Sequence, residues 1–269
     1  MKEMKIIVLI KPVPDPACYD RIQIDPVTGI LIREGLPTVL NPADKHALEA
    51  ALQLKEQFGG RVALISMAPD SAAETLKEGL AMGADEAHLL SDRAFAGADT
   101  LATSRVLAAA IIKIGPFDLV LAGTESADGG TAHVPSQVGE LLEVAHLTNV
   151  IQLNVDPDSK VTARVKIENG YLEVRGALPM VIGVRREINT PRYTSLMGIL
   201  AAQDKAVQLR GLEDLDLRVT DVGLAGSPTQ PGQLSQPELN RKAEVLEGDA
   251  NDVARRIVAI MRAAGILGR

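Results

Sequence analysis

Lys5 to Lys11 reads KIIVLIK, a run of β-branched and aliphatic residues without a polar break. Such a run predicts a strand covered on both faces. Val62 to Met67, Ala87 to Leu90 and Phe117 to Ala122 repeat the pattern. Between them, apolar residues recur every three or four positions and predict helices. The first starts at Asn41-Pro42, with Asn as N-cap, Pro at the first helical position and Asp44 in the first turn. Its stripe is Ala47, Leu48, Ala51, Leu52 and Leu54, and Gly59-Gly60 ends it. Ser71 to Met82 ends at Gly83, Thr100 to Ile114 ends at Gly115, and Val134 to Leu142 follows. Strands alternating with helices of about 10 to 15 residues predict βαβ crossovers. The expected fold is therefore α/β: a doubly wound, mostly parallel, Rossmann-like sheet.

Two stretches depart from that rhythm. Arg21 to Ile24 and Ile30 to Ile32, around a turn at Pro26 to Gly29, predict a small hairpin. After about Ala145, Val161–Ile167 and Tyr171–Arg175 flank Asn169-Gly170, a pair that favours a type I′ turn, and Met180–Val184 is another buried strand. Regular alternation is lost beyond Asp204. Gly223 to Pro237 is rich in Gly, Ser, Gln and Pro, as in an arm or linker, and Asp249 to Leu267 predicts an amphipathic helix carrying Val253, Ile257, Ile260, Met261 and Ala264 on one face. The expected division is an α/β domain over 1–204 and an extended C-terminal arm and helix over 205–269. The helix either docks on a partner subunit or folds back on its own domain.

Composition narrows the classes. With 46% hydrophobic residues in 269, the chain has ample material for a packed core. Aromatics at 2% and no Trp leave no stacking platform for single strands, and a net charge of −7 supplies no basic face, so no nucleic-acid partner is expected. The single Cys18 excludes an intrachain disulfide and a thiolate metal cluster. No apolar stretch reaches the length of a membrane span, and Ile6 to Ile10 is too short for a signal segment, so a cytoplasmic location is expected.

The chemistry points to one loop, Gly123-Thr124-Glu125-Ser126-Ala127-Asp128-Gly129-Gly130-Thr131-Ala132, with His133 and Val134 leading into the helix. A buried strand, a small-residue loop and a helix start make a main-chain cradle for phosphate. Between Gly123 and Ala132 no basic side chain occurs. The other reading is an ordinary βα connection rich in turn residues. Competing sites fail on spacing. His46, His88, His133 and His146 lack metal-ligand spacing, Ser126 lacks a Gly-x-Ser-x-Gly elbow, and neither a Walker A lysine motif nor Gly-x-Gly-x-x-Gly occurs. A metal site is not expected. Arg185 and Arg186 either steer a ligand edge or pair with Glu187.

Glu187-Ile188-Asn189-Thr190-Pro191-Arg192-Tyr193-Thr194-Ser195-Leu196 resembles the signature of the beta subunit of electron transfer flavoproteins. The likeness extends to Lys11-Pro12-Val13, Asn41-Pro42-Ala43-Asp44, Ser66-Met67-Ala68-Pro69, Ala81-Met82-Gly83-Ala84-Asp85 and the Gly123 loop, in that order. The resemblance implies a heterodimer with an alpha subunit, FAD shared with or held by that subunit, and electron transfer without side-chain catalysis. It further implies AMP, or in electron-bifurcating members a second FAD, in this subunit. Adenosine would lie over Leu9, Asn41, Pro42, Ala43, Asp44 and Met67. Phosphates would sit in Gly123, Thr124, Glu125, Ser126, Ala127, Asp128, Gly129, Gly130, Thr131, Ala132, His133 and Val134, with the Thr131 hydroxyl donating. Asn41 also reads as a plain helix cap and Met67 as a core filler. The lean glycine-rich turn looks more like the bifurcating members, although they commonly carry Gln where His133 stands. After Arg192-Tyr193 the family inserts an exposed leucine into a flavin-dependent dehydrogenase, such as an acyl-CoA dehydrogenase. Here that leucine is Leu196, with Met197 and Ile199 beside it, although Ala201 to Asp204 replace a lysine-rich stretch; on pattern alone the segment also reads as the start of a core helix. The alternative function is a universal-stress-type adenine nucleotide-binding protein without electron transfer.

Overall fold

The computed structural model describes residues 3–21, 23–24, 31–32, 35, 37–230, 232 and 243–267. The strands are β1 (Met4–Leu9), β2 (Pro12–Pro14), β3 (Gln23–Ile24), β4 (Leu31–Ile32), β5 (Thr38–Leu40), β6 (Gly60–Met67), β7 (Glu86–Leu90), β8 (Leu119–Gly123), β9 (Ala145–Val155), β10 (Lys160–Ile167), β11 (Gly170–Ala177), β12 (Met180–Val184) and β13 (Val207–Arg210). The helices are α1 (Pro42–Phe58), α2 (Ala73–Met82), α3 (Thr100–Ile114), α4 (Val134–Leu141), α5 (Leu196–Gln203) and α6 (Ala250–Ala263). The elements predicted through Leu142 are present within a residue or two. The turn expected at Pro26 to Gly29 lies outside the described residues, while the strands beside it pair antiparallel, Gln23 with Ile32 and Ile24 with Leu31.

Nine strands form one sheet in the order β11-β10-β9-β12-β8-β1-β6-β7-β13. Every pairing from β9 to β13 along that order is parallel, and β10 and β11 add an antiparallel edge. Alternate residues of β1 enter opposite cores. Ile6, Val8 and Ile10 pack with α1 and α2, whereas Ile7 and Leu9 pack with α3 and α4. The period-2 alternation of a strand with both faces apolar thus produces a sheet wound on both sides.

Three differences from expectation have physical causes. β9 runs eleven residues, AHLTNVIQLNV, yet its polar positions and partial exposure hide it as a sequence pattern. The β10–β11 hairpin pairs Ile167 with Gly170, so Glu168-Asn169 forms the loop. Neither residue has positive φ, which rules out the expected type I′ turn, and the left-handed requirement falls on Gly170 at +139°.

The third concerns the division of the chain, which falls at Gly232/Gln233 rather than at 204/205. β13 adds to β7 as a parallel edge strand, and Leu215 and Val222 are buried in the α3 core. The glycine-rich stretch from Gly223 is not an extended arm at its start. A Cβ on Gly223 would stand 2.0 Å from the Ala94 carbonyl oxygen, so glycine there permits close packing. The Ser227 hydroxyl accepts from the Asp99 N–H at 2.8 Å, and the Asp99 carboxylate accepts from the Thr229 N–H at 2.9 Å. The described residues of the second unit, taken by itself, include the α6 helix capped by Asp249, whose carboxylate accepts from the Asn251 and Asp252 N–H groups.

Candidate functional site

Strand order reverses at β1. The chain leaves β1 through α1 toward β6 and β7, then returns to lay β8 on the other flank, with Leu9 opposite Ala122. The crevice outside the carboxyl ends of β1 and β8 is therefore a topological switch point, where open α/β sheets bind ligands.

Asp44 ties the three elements that meet there. Its Oδ2 accepts the Lys11 N–H at 2.8 Å and its Oδ1 accepts the Gly123 N–H at 2.9 Å. Burial pushes its carboxyl up to about 7 despite those two donors. Gly123 is obligatory for packing, because a Cβ would fall 2.5 Å from Asp44 Oδ1 and 2.6 Å from Ala43 Cβ. Its N–H thus serves the fold.

The loop beyond Gly123 divides into two halves. The first is bolted to α1. Asn41 stands at the N-cap without a side-chain cap bond; instead its Nδ2 donates to the Glu125 carbonyl at 3.0 Å and its Oδ1 accepts from the Ala127 N–H at 3.0 Å. Sequence pattern identified Asn41 as the cap, but only the fold shows its amide diverted to hold the loop. Ser126 Oγ accepts from the Gly129 N–H at 3.3 Å, and the Ser126 carbonyl accepts from the Gly130 N–H at 2.9 Å. The second half opens outward. Among the described residues, none accepts from the N–H groups of Thr131, Ala132, His133 or Val134. Gly130 at φ +58° and Ala132 at φ +56° are left-handed, a conformation that turns successive amides toward one concavity. A non-glycine held there, in a loop entering a helix, fits a ligand-binding cradle.

Lys11 is the residue that the loop's own sequence does not announce. Its ammonium donates to Asp128 Oδ1 at 2.7 Å and to Ser126 Oγ at 3.3 Å. A loop without a basic side chain therefore has one supplied from the end of β1. The remaining expected residues are distributed around this cradle. Leu9 closes β1, Met67 closes β6, and Pro42 and Ala43 begin α1; of these, Leu9 and Ala43 are buried. Thr124 is buried, and its Oγ1 accepts from the Asn149 N–H at 3.2 Å, so its hydroxyl serves β9. Thr131 and His133 are exposed at the rim. Arg185 does pair with Glu187, at 3.4 Å, and also donates to Asn149 Oδ1 at 3.1 Å.

A second region forms on the α1–α2 side. Arg192 grips α1: Nε donates to Glu49 Oε2 at 2.8 Å, Nη2 to Glu49 Oε1 at 3.0 Å and Nη1 to Glu56 at 2.5 Å. Burial works to raise the Glu49 carboxyl, but the hydrogen bonds from Arg192 outweigh it and hold that carboxyl below its ordinary range. Asn189 adds a reciprocal pair with His46, receiving at its oxygens from Nδ1 and donating to the His46 carbonyl at 2.9 Å. The segment that follows is thus fixed at its root. Ser195 caps α5 by accepting from the Gly198 N–H at 3.0 Å. Gly198 faces α2 so closely that a Cβ would lie 2.3 Å from the Ala81 carbonyl oxygen. With that face turned inward, Leu196 (72% exposed), Met197 (74%), Ile199 and Leu200 stand outward together, beside an exposed Tyr193. The core-helix reading of Leu196 does not survive this exposure. A cluster of this kind marks an interaction surface.

Residues 28–215 match the electron transfer flavoprotein domain model. The chain belongs to the electron transfer flavoprotein family. It is 42% identical over 256 residues to an electron transfer flavoprotein subunit beta of Thermoanaerobacterium thermosaccharolyticum, covering 95% of this chain and 96% of that protein. It is 43% identical over 259 residues to the one from Clostridium acetobutylicum, covering 96% and 98%. A third relative, the caffeyl-CoA reductase-Etf complex subunit CarD of Acetobacterium woodii, is 42% identical over 266 residues, covering 98% and 100%. The family assignment is thus to the beta subunit, in electron transfer with an associated flavin, and implies an electron transfer flavoprotein alpha subunit as partner. Among the described residues no helix is long and apolar enough to cross a membrane.

Proposed function

We propose that this electron transfer flavoprotein beta subunit holds an adenine nucleotide of its own at the β1/β8 switch point, and that this nucleotide is a second FAD. The observation that carries the site is the run of open amides from Thr131 to Val134 at the start of α4. Their N–H groups, together with the α4 N-terminus, suit a phosphate chain. Leu9, Met67 and the α1 start from Asn41 to Asp44 form the floor on which adenosine would rest. A flavin at this place would supply one- and two-electron chemistry; the chain binds it and orients it. The FAD reading draws on the lean Gly129-Gly130 turn, where a Cβ on Gly130 would meet nothing within 4 Å, leaving room beside the cradle. It also draws on the relative named as part of a caffeyl-CoA reductase-Etf complex, which suits electron bifurcation toward a CoA-ester enzyme.

In this reading Leu196, Met197 and Ile199 dock on a flavin-dependent dehydrogenase of the acyl-CoA dehydrogenase kind, and the residues beyond Gly232 dock on the alpha subunit. The test is a cofactor count on the heterodimer co-purified with its alpha subunit. Two FAD per dimer is the expected result. One FAD with one AMP removes the second flavin but keeps the site, and no nucleotide beyond the alpha subunit's FAD removes the site itself.

A further inference from the structure

The loop from Gly123 to Val134 contains two carboxylates, Glu125 and Asp128, and neither lysine nor arginine. Main-chain dipoles alone would thus have to hold an anion beside two negative side chains, and like charges at such range repel. Among the described residues, Lys11 brings a cation to the loop from another element. Lys11 follows β1 and is anchored through its main chain on both sides: its N–H donates to Asp44 at 2.8 Å and its carbonyl accepts from the Asn41 N–H at 2.9 Å. Its side chain reaches across to the loop, and its ammonium stands 3.9 Å from where a Cβ on Gly129 would be. The two ends of the ion pair are unequally exposed. The Asp128 side chain is 4% exposed, whereas that of Lys11 is 40% exposed, so Lys11 is the more accessible partner of the pair. An ammonium carries three protons; Asp128 and Ser126 take two in this geometry.

We propose that Lys11 is the cation that meets the phosphate of the bound nucleotide, and that Asp128 competes with that phosphate for it. This rests on the adenine nucleotide reading of the site and gives that site a cation from outside the loop. A phosphate cradled by Thr131 to Val134 gains a charge-assisted hydrogen bond from Lys11, which remains shared with Asp128. The pair therefore sets both the affinity for the nucleotide and its sensitivity to salt.

The test uses the full chain in complex with its alpha subunit, stripped of nucleotide, and measures binding of AMP, FAD and phosphate-free adenosine. Lys11→Met is expected to weaken AMP and FAD by about tenfold or more while leaving adenosine unchanged, with Lys11→Arg restoring most of the loss. Asp128→Asn is expected to tighten AMP, and the fall of affinity with added salt is expected to be shallower for Lys11→Met than for the unaltered protein. If Lys11→Met and Asp128→Asn weaken AMP alike, or if Lys11→Met weakens adenosine as much as AMP, the pair is a structural latch and the proposal is overturned. Equal AMP binding by Lys11→Met and the unaltered protein overturns it while leaving the nucleotide site standing. An unaltered complex that binds none of the three probes at this subunit overturns both.

Discussion

Asp44 shows how one side chain couples folding to the site. It is buried, with its two oxygens committed to the Lys11 and Gly123 N–H groups, and its carboxyl is pushed up to about 7 from an ordinary 3.8. In the unfolded chain the group ionises near 3.8, whereas in the folded chain it keeps its proton to near neutrality. Between those values the folded state binds the extra proton, so stability is fully present below the lower value and declines as pH rises through the upper one. Denaturant unfolding from pH 4 to 8 is expected to show this decline. Asp44→Asn, which cannot ionise, is expected to flatten it at the cost of one N–H partner, about 1–3 kcal/mol. A slope unchanged in the variant would assign the pH dependence elsewhere.

At the scale of elements, α5 carries a division of labour along eight residues. Gly198 and the buried Ala202 face inward, while Leu196, Met197, Ile199 and Leu200 face solvent. Two substitutions separate the roles. Leu196→Ala is expected to leave flavin content and thermal stability unchanged and to slow electron exchange with the dehydrogenase proposed to dock there by about 30-fold, the loss of one anchor worth roughly 2 kcal/mol. Gly198→Ala places a methyl within 2.3 Å of the Ala81 carbonyl oxygen, so it is expected to lower stability by about 1–3 kcal/mol as α5 is forced away from α2. Stopped-flow reduction and thermal melts distinguish the two; full electron delivery by Leu196→Ala would remove the docking assignment.

Across the whole molecule, the two units differ in how they are built. Residues 1–232 hold both cores and the nine-stranded sheet, while the described residues of the unit from Gln233 contribute one helix, itself without a buried residue. An amphipathic helix with an open apolar face gains most of its stability from what it packs against. Deleting residues 233–269 is therefore expected to leave the circular dichroism of the α/β unit, scaled for the lost helix, and its melting nearly unchanged while weakening association with the alpha subunit at least tenfold, as read by analytical ultracentrifugation. Unchanged association would place the interface wholly on the larger unit.

Local pattern by itself determined the class of this protein. Uninterrupted β-branched runs, helical stripes and Gly stops each encode one element through short-range sterics and burial, so β1, α1, α3 and β12 were readable from the chain. The ordered motifs from Lys11 to Leu196 were enough to indicate the family. What tertiary structure decided were the pairings across long separations: the parallel edge strand Val207–Arg210 on β7, Arg192 on Glu49, the Asn41 amide turned from its cap to the loop at Glu125 and Ala127, and Lys11 brought to Asp128. Those contacts join residues up to 143 positions apart. Their geometry depends on strand order and on which carboxylates and amides lose water together, and no periodicity within one segment encodes either.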